Sequence, residues 1–279
     1  MRIGTTMGGY DRFGDHKYQK LRQHGFDAVD FNLSNTETHW YSLPWDEARA
    51  LLEREKQLAD AAGIKIWQAH GPWRWPPKDT TTEQRAERLQ KMQRSLAMTA
   101  VLGCKYWVIH PIMPFGEEER GTPDAAGTWA LNYEFFRQLL PTAKELDITI
   151  CLENMPAPKL SISTPADILE FVRTMNDDHF QACLDTGHAA VTDVSPADAV
   201  AMLRDTLKVL HVHDSFGGMD LHLLPYQGVI DWQAFSEALK QSGFSGVLSL
   251  ETGAPQKLPT ARFEEMSTAI ASIAKLLAE

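Results

Sequence analysis

No Cys-x-x-Cys pair, no glycine-rich phosphate loop and no long apolar run occurs in this sequence, and each absence removes a class of function. The three cysteines, Cys104, Cys151 and Cys183, stand singly beside apolar runs. They can build neither a disulfide framework nor a thiolate zinc site, so small buried thiols are expected. Gly8-Gly9 lacks the third glycine of a dinucleotide-binding turn, and no Walker-type loop follows the first apolar run. No segment reaches the length of a membrane span, and Met1-Arg2-Ile3-Gly4-Thr5 lacks the apolar core of a signal peptide. The cytoplasm is therefore the expected location, with no membrane partner. Lysine and arginine nowhere cluster densely enough to track phosphates, and the formal net charge is −10, which argues against nucleic acid as a partner.

A Pro/Gly/Ser-rich linker is missing as well. The 279 residues, 43% apolar and 23% charged, hold enough apolar material for a sizeable core, and one domain spanning residues 1–279 is expected. Short runs that read as strands alternate with amphipathic stretches throughout. The strands are expected at Ile3–Met7, Ala28–Asn32, Ile64–His70, Lys105–His110, Ile148–Glu153, Phe180–Asp185, Leu207–His213 and Val247–Glu251. Helices are expected at Tyr18–His24, Trp45–Ala62, Thr82–Leu102, Leu131–Leu146, Pro165–Met175, Pro196–Arg204, Trp232–Gln241 and Thr260–Leu277. Glycines at 25, 63 and 103 stop the first three helices, and Pro165 suits a first helical turn. Eight βα units call for a parallel sheet with right-handed crossovers, and at this length they close most economically into a single α/β (β/α)8 barrel. A doubly wound open sheet is the alternative, disfavoured by the missing phosphate loop.

Chemistry in such barrels sits at the C-terminal strand ends. In the stretch Ala182-Cys183-Leu184-Asp185-Thr186-Gly187-His188, an apolar run stops at an acid, a hydroxyl, a glycine and a histidine, which reads as barrel wall giving way to a catalytic loop. One Asp/His pair of this kind is ordinary turn chemistry. Here the event recurs: successive strands end at His70, His110, Glu153, Asp185, His211 or His213, and Glu251. Ring closure brings these to one mouth, where neighbouring carboxylates resist joint ionisation unless a cation joins them. Imidazole plus carboxylate without thiolate suits a divalent Zn, Mn, Fe, Co or Mg ion. Period two puts His211 and His213 on one face, so spacing alone does not choose between them.

The ordered endings LEN (152–154), DTGH (185–188), HVHD (211–214) and LET (250–252) resemble the xylose isomerase-like barrel superfamily over nearly the whole chain. That superfamily holds sugar isomerases and epimerases as well as the endonuclease IV type of abasic-site endonuclease. The resemblance implies a metal site of Glu153, Asp185, His211 and Glu251, with His211 preferred because it precedes the acid Asp214 by three residues, and His213 beside it. In isomerases and epimerases the position of His188 holds a substrate oxygen, and Glu153 and Glu251 exchange the proton as base and acid. His70, His110, His222 and Trp73 are then expected around a sugar or polyol, and Trp40, Trp45 and Trp75 are candidates to pack on its ring. In the endonucleases, positions matched by His70, His110, His188, Asp220 and His222 bind further metal ions.

A metal-dependent isomerase or epimerase acting next to a carbonyl is therefore expected. A metal-dependent phosphodiesterase at abasic DNA is the alternative, and a barrel that binds without turnover is a third reading. Against the nuclease, the loop Ser34-Asn35-Thr36-Glu37-Thr38-His39-Trp40 carries no Lys or Arg, and the loop after strand four carries Glu117-Glu118-Glu119. Against a ketose 3-epimerase, Lys159 stands where those enzymes have an acid, and Gly217 where they have an arginine. Lys159, Arg74 and Arg120 are the candidates to meet an anionic substituent. The family's habit of association leads to the expectation of a homodimer.

Overall fold

The computed structural model describes residues 1–35, 39–72, 81–112, 124–157 and 161–279. Its eight strands are β1 (Arg2–Thr6), β2 (Ala28–Asn32), β3 (Lys65–His70), β4 (Tyr106–Ile109), β5 (Thr149–Glu153), β6 (Phe180–Asp185), β7 (Leu207–His211) and β8 (Val247–Leu250). They pair in parallel in chain order from β1 to β7, and β8 returns to β1. The ring closes between β7 and β8 through a parallel bridge of Val212 with Leu250, where the Val212 N–H donates to Ser249 O at 2.8 Å and the Glu251 N–H to Val212 O at 3.0 Å. Closure removes the exposed edges that an open sheet would carry.

The crossovers carry α1 (Lys17–His24), α2 (His39–Ser42), α3 (Trp45–Ala61), α4 (Thr82–Val101), α5 (Ala125–Glu145), α6 (Pro165–Met175), α7 (Thr186–Val191), α8 (Pro196–Leu203), α9 (Trp232–Ser242) and α10 (Thr260–Ala278). Local chemistry sets many of their ends. Thr81 with Gln84, and Thr164 with Asp167, form reciprocal caps at the starts of α4 and α6. Asn176 ends α6 in a left-handed conformation at φ 47°.

Two apolar layers result. Between sheet and helices lie Trp107, Phe136, Phe171, Phe180 and Trp232, all essentially buried. Inside the ring, Val108, Cys151, Cys183 and Val209 make a second small core with Trp67 and Tyr106. The three cysteines are buried and free. Two residues further along the same strands, period two brings His110, Glu153, Asp185 and His211 onto that inward face. The apolar plug therefore becomes a polar rim within one step.

Three expectations are corrected. Helix α5 begins at Ala125 rather than Leu131, because the Asp124 carboxylate accepts the Gly127 N–H at 2.8 Å and starts the helix early. Strand β7 stops at His211 rather than His213, since Val212 turns to β8 while Thr186 Oγ1 accepts the His213 N–H and donates to the His213 carbonyl. Thr186–His188 opens helix α7 instead of a loop, capped by Asp185. A 3-10 segment at Tyr10–His16, not foreseen, precedes α1.

Candidate metal centre and cavity

Strand register assembles the centre. Asp185 stands opposite His211 across β6 and β7, and Glu153 opposite Cys183 across β5 and β6. One ligand-capable atom from each of Glu153, Asp185, His211 and Glu251 falls within 4.8 Å of the others. His211 Nδ1 lies 2.9 Å from Glu153 Oε1 and 3.3 Å from Glu251 Oε2. Asp185 is held on both sides: Oδ1 accepts the His188 N–H at 2.7 Å as the cap of α7, and Oδ2 faces His213 Nε2 at 2.9 Å. Glu153, Asp185 and His211 are each 0% exposed.

The buried carboxylates of Glu153 and Asp185 and the half-buried one of Glu251, around one imidazole, are electrostatically unequal. Burial pushes the Glu251 carboxyl up to about 7; His211 opposes this, while Glu153 and Asp185 add to it. Burial would raise Glu153 too, yet His211 and His110 hold it well below the carboxylate range. Asp185, against the same burial, is held to about 2 by His188 and His213. The His211 imidazolium overcomes burial through Glu153 and Glu251 and sits well above the usual histidine value. Glu251 Oε2 is buried and accepts no hydrogen bond, and Glu153 Oε2 meets His110 and His70 Nε2 only as ion-pair neighbours at 3.2 and 3.5 Å. Such under-satisfied oxygens, three carboxylates and one nitrogen with no thiolate, fit a hard or borderline divalent ion.

A second group gathers beside the first: His188, His213, Asp220 and His222 offer atoms within 4.8 Å of one another. Asp220 Oδ2 faces His188 Nε2 and His222 Nε2, each at 3.2 Å. The other ring nitrogens face backbone carbonyls, His188 Nδ1 that of Asn154 at 2.8 Å and His222 Nδ1 that of Glu251 at 2.9 Å. Against burial, Asp185 and Asp220 raise His188 to about 10, and Asp220 and Glu251 raise His222 to about 9. The His213 ring stacks on His222 with centroids 4.2 Å apart and fills the space above Gly187, where a Cβ would stand 2.0 Å from His213 Cε1. Asp214 anchors the loop carrying Asp220 and His222 by accepting the Ser215 N–H at 2.9 Å and the Trp232 indole N–H at 2.8 Å. His70, His110 and Glu153 form a further group.

Both groups open on a cavity of about 720 Å³ lined by His70, His110, Glu153, His188, Asp220 and Glu251, among others. His222 also lines it, with its side chain 42% exposed. Trp40 and Trp45, expected at the mouth, are not among its described walls. Trp40 packs on Phe31 with centroids 6.0 Å apart, and Trp45 lies under the Arg94 guanidinium at 5.6 Å. Trp73, Arg74, Trp75, Thr36, Glu37, Thr38, Glu117, Glu118, Glu119, Arg120 and Lys159 lie outside the described residues. Gly217, at φ 77°, stands in the loop before Asp220. Two buried polar residues escaped the sequence reading: Asp30 on β2, facing His211 Nε2 at 2.8 Å, and Gln68 on β3, donating to Asp30 at 3.0 Å. Their signal was a lone polar residue inside each apolar run, Val29-Asp30-Phe31 and Trp67-Gln68-Ala69.

Known proteins share this architecture. The chain is 28% identical over 243 residues to an uncharacterized protein, MJ1311, of Methanocaldococcus jannaschii, covering 84% of this chain and 77% of that one. It is 25% identical over 251 residues to the D-psicose 3-epimerase of Ruminiclostridium cellulolyticum, covering 85% and 78%. The crystal structure of the IOLI protein with a bound zinc atom superposes with a TM-score of 0.74 at 18% identity, over 99% of this chain and 96% of that one. No helix among the described residues is long and apolar enough to cross a membrane. A family model described as xylose isomerase-like TIM barrel matches residues 18–276, and with the closed eight-stranded ring this places the chain in the xylose isomerase-like TIM barrel family.

Proposed function

We propose that the protein is a divalent-metal-dependent isomerase or epimerase of a sugar, sugar derivative or polyol, moving a proton next to a carbonyl through an enediolate. Curated relatives of the chain include sugar epimerases and isomerases, which supports that class. The observation that carries the reading is the pair Glu153 and Glu251. Both meet His211 Nδ1, at 2.9 and 3.3 Å, yet their proton affinities are pulled apart. Environments that separate two carboxyls in this way assign a base and an acid.

An ion held by Glu153, Asp185, His211 and Glu251 would polarise the carbonyl and acidify the adjacent C–H. Glu153, ionised across the neutral range, takes that proton. Glu251, whose carboxyl is pushed up to about 7 before an ion binds, is the member of the pair with the higher proton affinity and would exchange the second proton at the other face or oxygen through the carboxylate oxygen that it does not give to the ion. The doubly protonated His188 ring keeps Nδ1–H on the Asn154 carbonyl, and its Nε2–H, which faces Asp220 at 3.2 Å, would turn to the developing oxyanion when substrate enters. His70, His110 and His222 line the volume a small polyhydroxylated ligand would fill, and Trp73 belongs to the same proposed set. Elemental analysis is expected to find a divalent ion in the purified protein and its loss from Glu153→Gln and His211→Ala; full occupancy in both variants would sink the ligand assignment. Solvent deuterium is expected to enter a C–H next to the carbonyl of a turned-over substrate.

One observation favours a second reading, metal-assisted phosphodiester hydrolysis at abasic DNA. The groups His70–His110–Glu153 and His188–Asp220–His222, the latter lying with His213, would make a three-ion constellation with the first site if each held an ion. Three ions per chain together with incision of abasic duplex DNA, and no sugar turnover, would reverse the ranking; one ion per chain supports the isomerase.

A further inference from the structure

We propose that Asp30 is a positioning residue for His211, receiving the Nε2 proton of that ring so that Nδ1 is the nitrogen presented to Glu153, Glu251 and a bound divalent ion. The inference rests on the reading of His211 as a metal ligand. An imidazole can bind a metal through either nitrogen, and its other nitrogen's hydrogen bond decides which one. Here the two sides of the ring are sharply different. Nδ1 faces the carboxylates of Glu153 and Glu251 at 2.9 and 3.3 Å, while Nε2 faces Asp30 Oδ2 at 2.8 Å.

Asp30 reaches the ring by the ordinary alternation of β2, on the inward face that it shares with Asn32, while the neighbouring strand β3 is irregular at that point. The β2–β3 register runs Val29 opposite Ile66 and then Asp30 opposite Gln68, so a residue is skipped between them. A bulge of this kind re-aims a side chain. Here the extra residue is Trp67 on β3, and the side chain set by the skip is Gln68, 0% exposed, which comes to lie beside Asp30, 3% exposed. The Gln68 amide then donates to Asp30 Oδ2 at 3.0 Å and to the Leu210 carbonyl at 3.2 Å, tying β2 and β3 to the residue preceding His211. The opposite face of the His211 ring is covered by His70, stacked at 5.6 Å with the planes 9° apart. The ring is thus held by its edge and by its face, and a flip would cost the Asp30 contact and leave a buried carboxylate oxygen with one donor fewer.

Binding of Co²⁺ to metal-free wild type, Asp30→Ala, Asp30→Asn and His211→Ala, followed by visible absorption and calorimetry, separates the outcomes. Asp30→Ala is expected to weaken Co²⁺ binding by about 10- to 100-fold and alter the ligand-field spectrum. Asp30→Asn, whose amide oxygen still accepts from Nε2, is expected to recover most of that affinity and the wild-type spectrum. A merely structural role would lower stability without changing the spectrum. Wild-type affinity and spectrum in Asp30→Ala, with binding lost in His211→Ala, overturns the Asp30 inference alone; wild-type binding in His211→Ala overturns the underlying site as well. Should Asp30→Ala fail to fold, ¹⁵N-histidine spectra of Zn²⁺-loaded wild type answer the same question. A protonated Nε2 on His211 supports the assignment, and an Nε2 bound to metal refutes it.

Discussion

The two groups of histidines and acids at the barrel mouth are built from the same residue types with opposite balance. Around His211 there are three carboxylates and one imidazole, and Glu251 Oε2 accepts no hydrogen bond. Around Asp220 there are three imidazoles and one carboxylate, and that acid is met by His188 and His222. The first group has acceptors to spare, with three carboxylates against the one His211 ring; the second has three rings against one acid. Ligand-capable side chains near one another therefore do not by themselves make a metal site. The balance of unsatisfied acceptors against bound protons decides whether a cation or a substrate oxygen completes the group.

The comparison can be broken in three ways. The largest effect is expected from Glu251→Gln, which removes the group whose carboxyl is pushed up to about 7. Solvent-deuterium exchange into substrate should slow by about 10²–10⁴-fold, the usual worth of a positioned acid or base. A next, smaller loss is expected from His188→Asn in the second group: about 10²-fold in turnover, the scale of one lost oxyanion donor, with the metal content unchanged. Metal lost from His188→Asn would show that the second group is also an ion site and that the contrast drawn above is false. The smallest effect is on pH. A bound ion must displace the proton that Glu251 carries below about 7, so Mn²⁺ affinity measured by calorimetry should fall between about pH 8 and about pH 6, by up to about tenfold per pH unit for each proton displaced. A pH-independent affinity would mean that neither Glu251 nor the protonated His211 ring is a ligand.

Where the sequence was informative, one physical signal carried the reading. Parallel barrel walls are buried on both faces and so read as apolar runs, and the informative feature is that successive runs end in the metal-capable types His, Glu and Asp. His70, His110, Glu153, Asp185 and Glu251 were legible for that reason. Asp30 and Gln68 were not, because each sits inside an apolar run rather than at its end, and the place of Gln68 beside Asp30 depends on a register skip in β3. The C-terminal end of β7 and the helical start at Thr186 differ from expectation for a related reason: both follow from Thr186 and Asp185 bonding to neighbouring backbone across the mouth.

By itself the sequence determined the eight βα units, the barrel that they imply and the set of residues brought to its C-terminal mouth, because period, helix stops and strand-end polarity are local properties of the chain. Only the tertiary structure decided which nitrogen of His211 faces the carboxylates, that His213 turns onto Asp185 and His222, and that Trp40 and Trp45 belong to packing. Those outcomes depend on distances between strands far apart in sequence, which ring closure alone brings to a few ångströms.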